Sequence, residues 1–288
     1  ETFRILEGIS IVLNVKFIVY EKKERWKMKT ELYDLDKIIN INEPQLILVD
    51  RLDIIQDSFK DADALLLNIL SNIGIDQNIP SLLFSYFNDY NKLDIFSNRL
   101  EIDINRIEDT IIVKNILGPE YVRNPLTEEE LKRMEQEETV LNNSNLFMED
   151  FSNMNFKKLK EICIKMKEEK NIKIIGINNI EKIVKKNKFS LTVKKLSDLA
   201  KELNIPIIAV ISEEEGPIEK NVSLEEYIKE ISKIVKKSDI VIIPKLDEYS
   251  ILNLVISKKN EKKVEFCELV YLKDYKKISN IYRPWDVE

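Results

Sequence analysis

A chain of 288 residues is long enough to bury a sizeable core and permits one large α/β domain or two small ones; one domain with an N-terminal extension is the expectation. With 33% charged and 44% hydrophobic residues and no long uncharged apolar stretch, the composition excludes a disordered chain and a helical membrane protein. The net charge of −6 argues against a surface broadly adapted to nucleic acid, and the absence of histidine removes Ser-His and Cys-His nucleophile pairs, imidazole bases and the common histidine-containing zinc sites.

Residues 9–20 are rich in β-branched and aromatic side chains and precede the charged run 21–29. They read as one or two strands with a charged turn, an extension of no assignable role. Residues 32–42 are mixed, and residues 44–49 (PQLILV) read as a short buried strand. After the charged stretch 50–60, a helical run from 62 to 73 is stopped at Gly74. A strand is expected over 79–85, then a polar segment to Asn98, then partial helix over 99–116, where Ile102, Ile104 and Ile107 give an imperfect period. Thr127 and Glu130 have capping-box spacing and open a charged helix to about Val140. Residues 145–150 read as a strand, and Phe156, Leu159, Cys163 and Met166 recur at helical spacing as a core stripe.

That helix leads into residues 171–178 (NIKIIGIN), an apolar run ending abruptly in two amides, Asn178 and Asn179. It reads as a central buried strand of a parallel sheet, and the C-terminal ends of such strands are where open α/β sheets bind ligands. Val193, Leu196, Leu199, Ala200 and Leu203 mark another amphipathic helix, and residues 205–212 another buried strand. Ser223 and Glu226 repeat the capping-box spacing before a strand at 239–243. Two β-type runs, 251–257 and 264–272, close the chain around the charged turn 258–263. The alternation implies an α/β fold with a mainly parallel sheet and an antiparallel edge. Cys163 and Cys267 sit in apolar patterns, which predicts buried free thiols in a reducing, cytoplasmic compartment. No signal-peptide pattern is visible, and a start at Glu1 leaves room for a preceding domain. The five glycines, Gly8, Gly74, Gly118, Gly176 and Gly216, are all far apart, whereas a phosphate-cradling loop needs closely spaced glycines.

The order of elements from about Tyr33 to Ile281 resembles the RecA-like ATPase domain, a P-loop NTPase fold, of DnaB-type hexameric replicative helicases. Residues 156–183 are similar to that family's helix and Walker B segment, and residues 196–209 (LSDLAKELNIPIIA) resemble its LKALAKELNVPVIAL passage. Residues 239–243, with Asp247 and Tyr249, are similar to its DADVVMFLYRDEYY. The resemblance implies a RecA-like domain over residues 31–288, residues 1–30 as an extension, a role in DNA replication, and a family that uses ATP and Mg²⁺.

The same alignment implies that the catalytic equipment has been replaced. Asp61, Ala62 and Asp63 stand where the family's P-loop has Gly, Lys and Thr, the lysine neutralising phosphates and the hydroxyl holding Mg²⁺. A carboxylate there repels a triphosphate: at an effective dielectric of about 20, one such charge about 4 Å away costs about 4 kcal/mol against each phosphate charge. Phe87 replaces the glutamate of FSLEM that activates the attacking water. Asn178 replaces the Walker B aspartate, and Ser212 the γ-phosphate-sensing glutamine. In the trans-acting KQRN finger the lysine survives as Lys258, while Asn260 replaces the arginine. No glycine lies between Asn42 and Gly74, so the conclusion is independent of register, and no cofactor is expected.

Of the loops that line the family's DNA channel, the first is shortened to 182–188, still basic through Lys182, Lys185, Lys186 and Lys188. The second opens with Glu213, Glu214 and Glu215, which phosphates avoid. The lysines read as a solvated face or as a residual backbone contact without sequence specificity, so weak or no nucleic-acid binding is expected. Three functions remain open: a catalytically inactive DnaB-like protein that binds a replicative helicase, other replisome proteins or itself; a divergent ATP-dependent helicase subunit in a ring, with Lys258 acting on a neighbour's nucleotide; and an unrelated enzyme in which Asp61, Asp63 and Glu213 to Glu215 hold a hard cation. Against the second, Lys258 reads first as a residue of a lysine-rich turn.

Overall fold

A computed structural model of the chain describes residues 27–50, 62–85, 88–116, 118, 122–151, 154–183, 189–211, 236–259, 261 and 264–281. Short apolar runs bounded by polar residues form the parallel strands: Leu46–Asp50 (β1), Ser81–Ser85 (β2), Leu146–Asp150 (β3), Ile174–Ile177 (β4) and Ile207–Ile211 (β5). Strand Ile240–Leu246 (β6) is parallel to β1 and antiparallel to Ile251–Lys258 (β7). Val264–Leu272 (β8) and Lys277–Asn280 (β9) complete a nine-stranded sheet of order β3-β2-β4-β5-β1-β6-β7-β8-β9. The mainly parallel sheet with an antiparallel edge is the one expected, and β4 lies inside it between β2 and β5. Pro244 falls just beyond the last β1–β6 pair, Val49↔Ile242, where its missing N–H deprives no ladder on that side.

Alternate residues of each strand feed two separate cores. Ile47, Val49, Leu83 and Ile174 point to one, Leu46, Leu48, Leu82 and Ile175 to the other. Over the first face lie helices Tyr33–Ile38 (α1), Ala62–Ser71 (α2), Asn88–Leu100 (α3), Ile104–Glu108 (α4) and Glu128–Asn142 (α5); over the second lie Phe156–Lys170 (α6) and Phe189–Leu203 (α7). Steps from β1 to β2 and from β2 to β3 run one way along the sheet, and those from β3 to β4 and β4 to β5 run the other. Right-handed crossovers therefore put the two helix sets on opposite faces. α2 is buried nearly all round, consistent with its apolar sequence.

Three expectations need correction. The helix read as stopping at Gly74 continues as a π turn, Asn72–Asp76. Gly74 is there for close packing, since a Cβ would lie 2.8 Å from Leu146 Cβ and 3.1 Å from its Cα. The stretch read as polar up to Asn98 is helix α3, whose Leu93, Ile95 and Phe96 enter the first core despite their polar neighbours. The mixed stretch 32–42 contains α1, where Asp36 Oδ1 accepts from Thr30 N at 2.8 Å. The capping box at Thr127 and Glu130 is present, with Glu130 Oε2 accepting from Thr127 N at 2.8 Å. Cys163 and Cys267 are buried thiols outside any disulfide, and burial pushes the Cys163 thiol up to about 12. Among the described residues no helix is long and apolar enough to cross a membrane. The runs at 9–20 and the Ser223–Glu226 pair lie outside the described residues.

Candidate functional site

Gly176 decides how closely α2 approaches the sheet. A Cβ there would lie 2.2 Å from Leu70 Cδ1 and 3.0 Å from Leu66 Cδ1, so only glycine lets the helix pack this tightly on β4. One helical turn before Leu66 stands Ala62, and two residues beyond Gly176 stands Asn178, each about 6 Å further on. The start of α2 and the end of β4 thus reach the same edge of the sheet. That edge also receives Asp50, 6% exposed at the end of β1, and the fully buried Ser85 at the end of β2.

Asn178 is half-buried and prolongs the ladder, its backbone N–H donating to the Phe84 carbonyl at 2.9 Å. Asn179 then turns the chain away with φ 71°, a left-handed conformation that asparagine tolerates, and its Oδ1 is buried without a hydrogen-bond partner among the described residues. Ser85 accepts a hydrogen bond from Asn91 Nδ2 of α3, tying that helix to the same edge. This buried hydroxyl–amide pair joins residues six apart across a strand–helix turn, and neither partner carried a motif that could have marked it.

Ala62 is a fully buried methyl, and Asp63 places a carboxylate in the first turn, where its own charge complements the helix dipole. Asp61, Phe87, Ser212 and Asn260 lie outside the described residues, as do Glu213 to Glu215, Lys185, Lys186 and Lys188. Lys182 falls in the 3-10 turn Ile180–Ile183 that follows β4. Among the described residues no group of three or more histidine, cysteine, aspartate or glutamate side chains could hold a metal.

Lys258 is elsewhere. It pairs with Ile240 at the start of β6, four strand spacings from β4, about 19 Å across the sheet. Within one chain it cannot share a phosphate with Asn178. Its ammonium is held by Glu265 at 3.1 Å and Glu261 at 3.8 Å. Beside it a cavity of about 440 Å³ opens between Asn40, Gln45, Asp239 and Lys259. Asp239 is already engaged, its Oδ2 accepting from Leu46 N and Ser197 Oγ, both at 3.0 Å.

Residues 28–280 match the family model described as the DnaB-like helicase C terminal domain. The chain is 22% identical over 241 residues to the replicative DNA helicase DnaC of Bacillus subtilis (strain 168), covering 77% of this chain and 50% of the relative. It is 23% identical over 242 residues to the replicative DNA helicase DnaB of Geobacillus stearothermophilus, with the same coverage. The chain thus spans about half the length of these relatives. Among solved structures, one of an ATPase domain superposes with TM-score 0.69 at 15% identity, over 96% of this chain and 99% of that one. A DnaB-like replicative helicase, solved in a study of its interactions with primase, gives TM-score 0.66 at 15% identity, over 96% and 67%. At 15% identity these superpositions establish the fold alone, which is the RecA-like one expected.

Proposed function

This chain belongs to the family of DnaB-like helicase C-terminal domains, and on that premise we propose that it is a catalytically inactive member acting in DNA replication as a binding or regulatory partner. What supports the reading is the opening of α2, where a buried Ala62 and an acidic Asp63 stand at the positions that the resemblance aligns with a phosphate-binding lysine and a metal-holding hydroxyl. Asn178 at the end of β4 supports it, because an amide keeps the shape of an aspartate without the charge that holds Mg²⁺. Its partners in this reading are a replicative helicase, other replisome proteins or further copies of itself, in the cytoplasm, with weak or no nucleic-acid binding through Lys182, Lys185, Lys186 and Lys188. The RecA-like domain covers residues 31–288, with 1–30 as an extension. Purified protein neither binds a fluorescent ATP analogue nor hydrolyses ATP; micromolar, Mg²⁺-dependent binding would overturn the reading.

The alternative is a divergent helicase subunit that works in a ring. Lys258 favours it, because its distance from Asn178 suits action on a neighbour and excludes action on its own chain. Its ion pairs with Glu265 and Glu261 favour the opposite view, a lysine fixed in its own turn. ATPase rates of an active DnaB-type helicase mixed with wild type or Lys258→Ala separate the two; equal rates remove the finger.

A further inference from the structure

Beyond β6, where Val241 and Ile243 pack against the second core, the antiparallel edge of the sheet has one face that no described helix covers. β6 to β9 turn Leu254, Cys267 and Ile278 toward the α2 side, where they join the first core. Their alternate residues face the other way. Register aligns Ile243 with Val255 and Val255 with Phe266, forming an apolar row across β6, β7 and β8. The next row is Lys245, Asn253 and Glu268. Phe266 is 70% exposed and Val264 beside it 39%. One exposed apolar side chain is ordinary, but Phe266 continues a row through the half-buried Val255 and Ile243, which offers a surface for association.

We propose that this face pairs two copies of the chain about a two-fold axis. The charge order of the second row selects that occupant: it reads cation, amide, anion from β6 to β8. An axis running along β7, between two facing sheets, lays β6 of one copy over β8 of the other. Lys245 then meets the partner's Glu268, the same pair repeats on the other side of the axis, and Ile243 meets the partner's Phe266. A two-fold interface must be self-complementary, and this row is. Sheet twist rotates facing sheets by about 30°, which moves a strand about 4.8 Å from the axis by about 2–3 Å, within a lysine's reach. Lys245 makes no ion pair or hydrogen bond among the described residues, whereas Glu268 also has a contact within its own chain. Four strands of up to nine residues offer about 500–600 Å² per copy, below the roughly 800 Å² of a standard interface, so the pairing is reversible and depends on concentration. The pairing stands independently of the nucleotide question.

Sedimentation velocity of the full chain over a wide concentration range tests this. The weight-average mass of wild type rises from 33.9 kDa toward twice that value. Lys245→Glu and Glu268→Lys each weaken self-association by about tenfold or more, because each makes both interfacial pairs like-charged. An equimolar mixture of the two single variants associates again, since both pairs are then opposite in sign, and the double variant K245E/E268K does the same. Phe266→Ser weakens pairing without touching the charges, and far-UV circular dichroism confirms the fold of each variant. The proposal is overturned if wild type stays at 33.9 kDa throughout. Single variants that associate like wild type, a mixture that does not recover, or a larger ring insensitive to these substitutions would overturn it equally.

Discussion

Gly176→Ala inserts one methyl where α2 meets β4. The new Cβ would lie 2.2 Å from Leu70 Cδ1, 3.0 Å from Leu66 Cδ1 and 3.3 Å from Leu70 Cγ. The first contact is with the end of a flexible side chain, but Leu66 and Leu70 are both fully buried, so rotating away from one clash meets filled core. Overpacking of this kind costs about 1–3 kcal/mol. Leu70→Ala alone creates a cavity and costs about 2–5 kcal/mol. Combined, the inserted methyl occupies part of the space that Leu70 vacates, and the double variant is more stable than the sum of the single losses by about 1–2 kcal/mol. Urea unfolding followed by far-UV circular dichroism reads all four proteins through the midpoint, with the slope unchanged. Losses that add to within about 0.5 kcal/mol, or a neutral Gly176→Ala, would refute the tight contact that aligns the start of α2 with Asn178.

Three further outcomes follow from the packing and charge described above. Asn68 Nδ2 donates to the carbonyls of Ala64 and Lys276 at 2.7 and 3.0 Å, and its Oδ1 accepts from Asn98 Nδ2 and Ile278 N at 2.6 and 3.1 Å. Asn68→Leu strands these buried partners and costs about 2–4 kcal/mol in the same urea assay; a loss under about 1 kcal/mol would contradict the network. The Arg106 guanidinium, with help from the Thr127 N–H, holds the Glu130 carboxyl down at about 2, against an ordinary value of 4.5. Because the folded state resists protonation, this stabilisation is complete above pH 4.5 and is lost as pH falls toward 2, so Glu130→Gln flattens acid unfolding in that window; an unchanged profile would refute it. At pH 8 a thiol reagent labels neither Cys163 nor Cys267 in the folded protein and both in urea, and rapid labelling without denaturant would contradict their burial.

Strands were the most legible part of the fold, because residues such as Leu46 to Val49 and Ile207 to Ile211 are buried on both faces and leave an unbroken apolar signature. Helix α3 was not, since Leu93, Ile95 and Phe96 are interleaved with asparagine, aspartate and lysine that face away from the core. Gly74 misled because a glycine after an apolar helical run has two physical uses, ending the helix or admitting a neighbour, and the neighbour, Leu146, is 72 residues away in sequence. Strand β9 went unseen because four residues carry too little periodicity, and it is fixed by the distant amide of Asn68. At the candidate site, Asn178 lies where its apolar run ends, as the pattern implied. Ser85 with Asn91 could not be foreseen, because a hydroxyl and an amide become a pair only when the helix after β2 folds back over its end.

On the proposed function, the edge formed by α2 and β4 receives no nucleotide. Hydrogen–deuterium exchange of the full chain, with and without millimolar Mg-ATP, reads that edge directly through residues 62–71 and 174–178. Unchanged protection in both segments is the predicted result, and a Mg²⁺-dependent gain of protection at the start of α2 would contradict it.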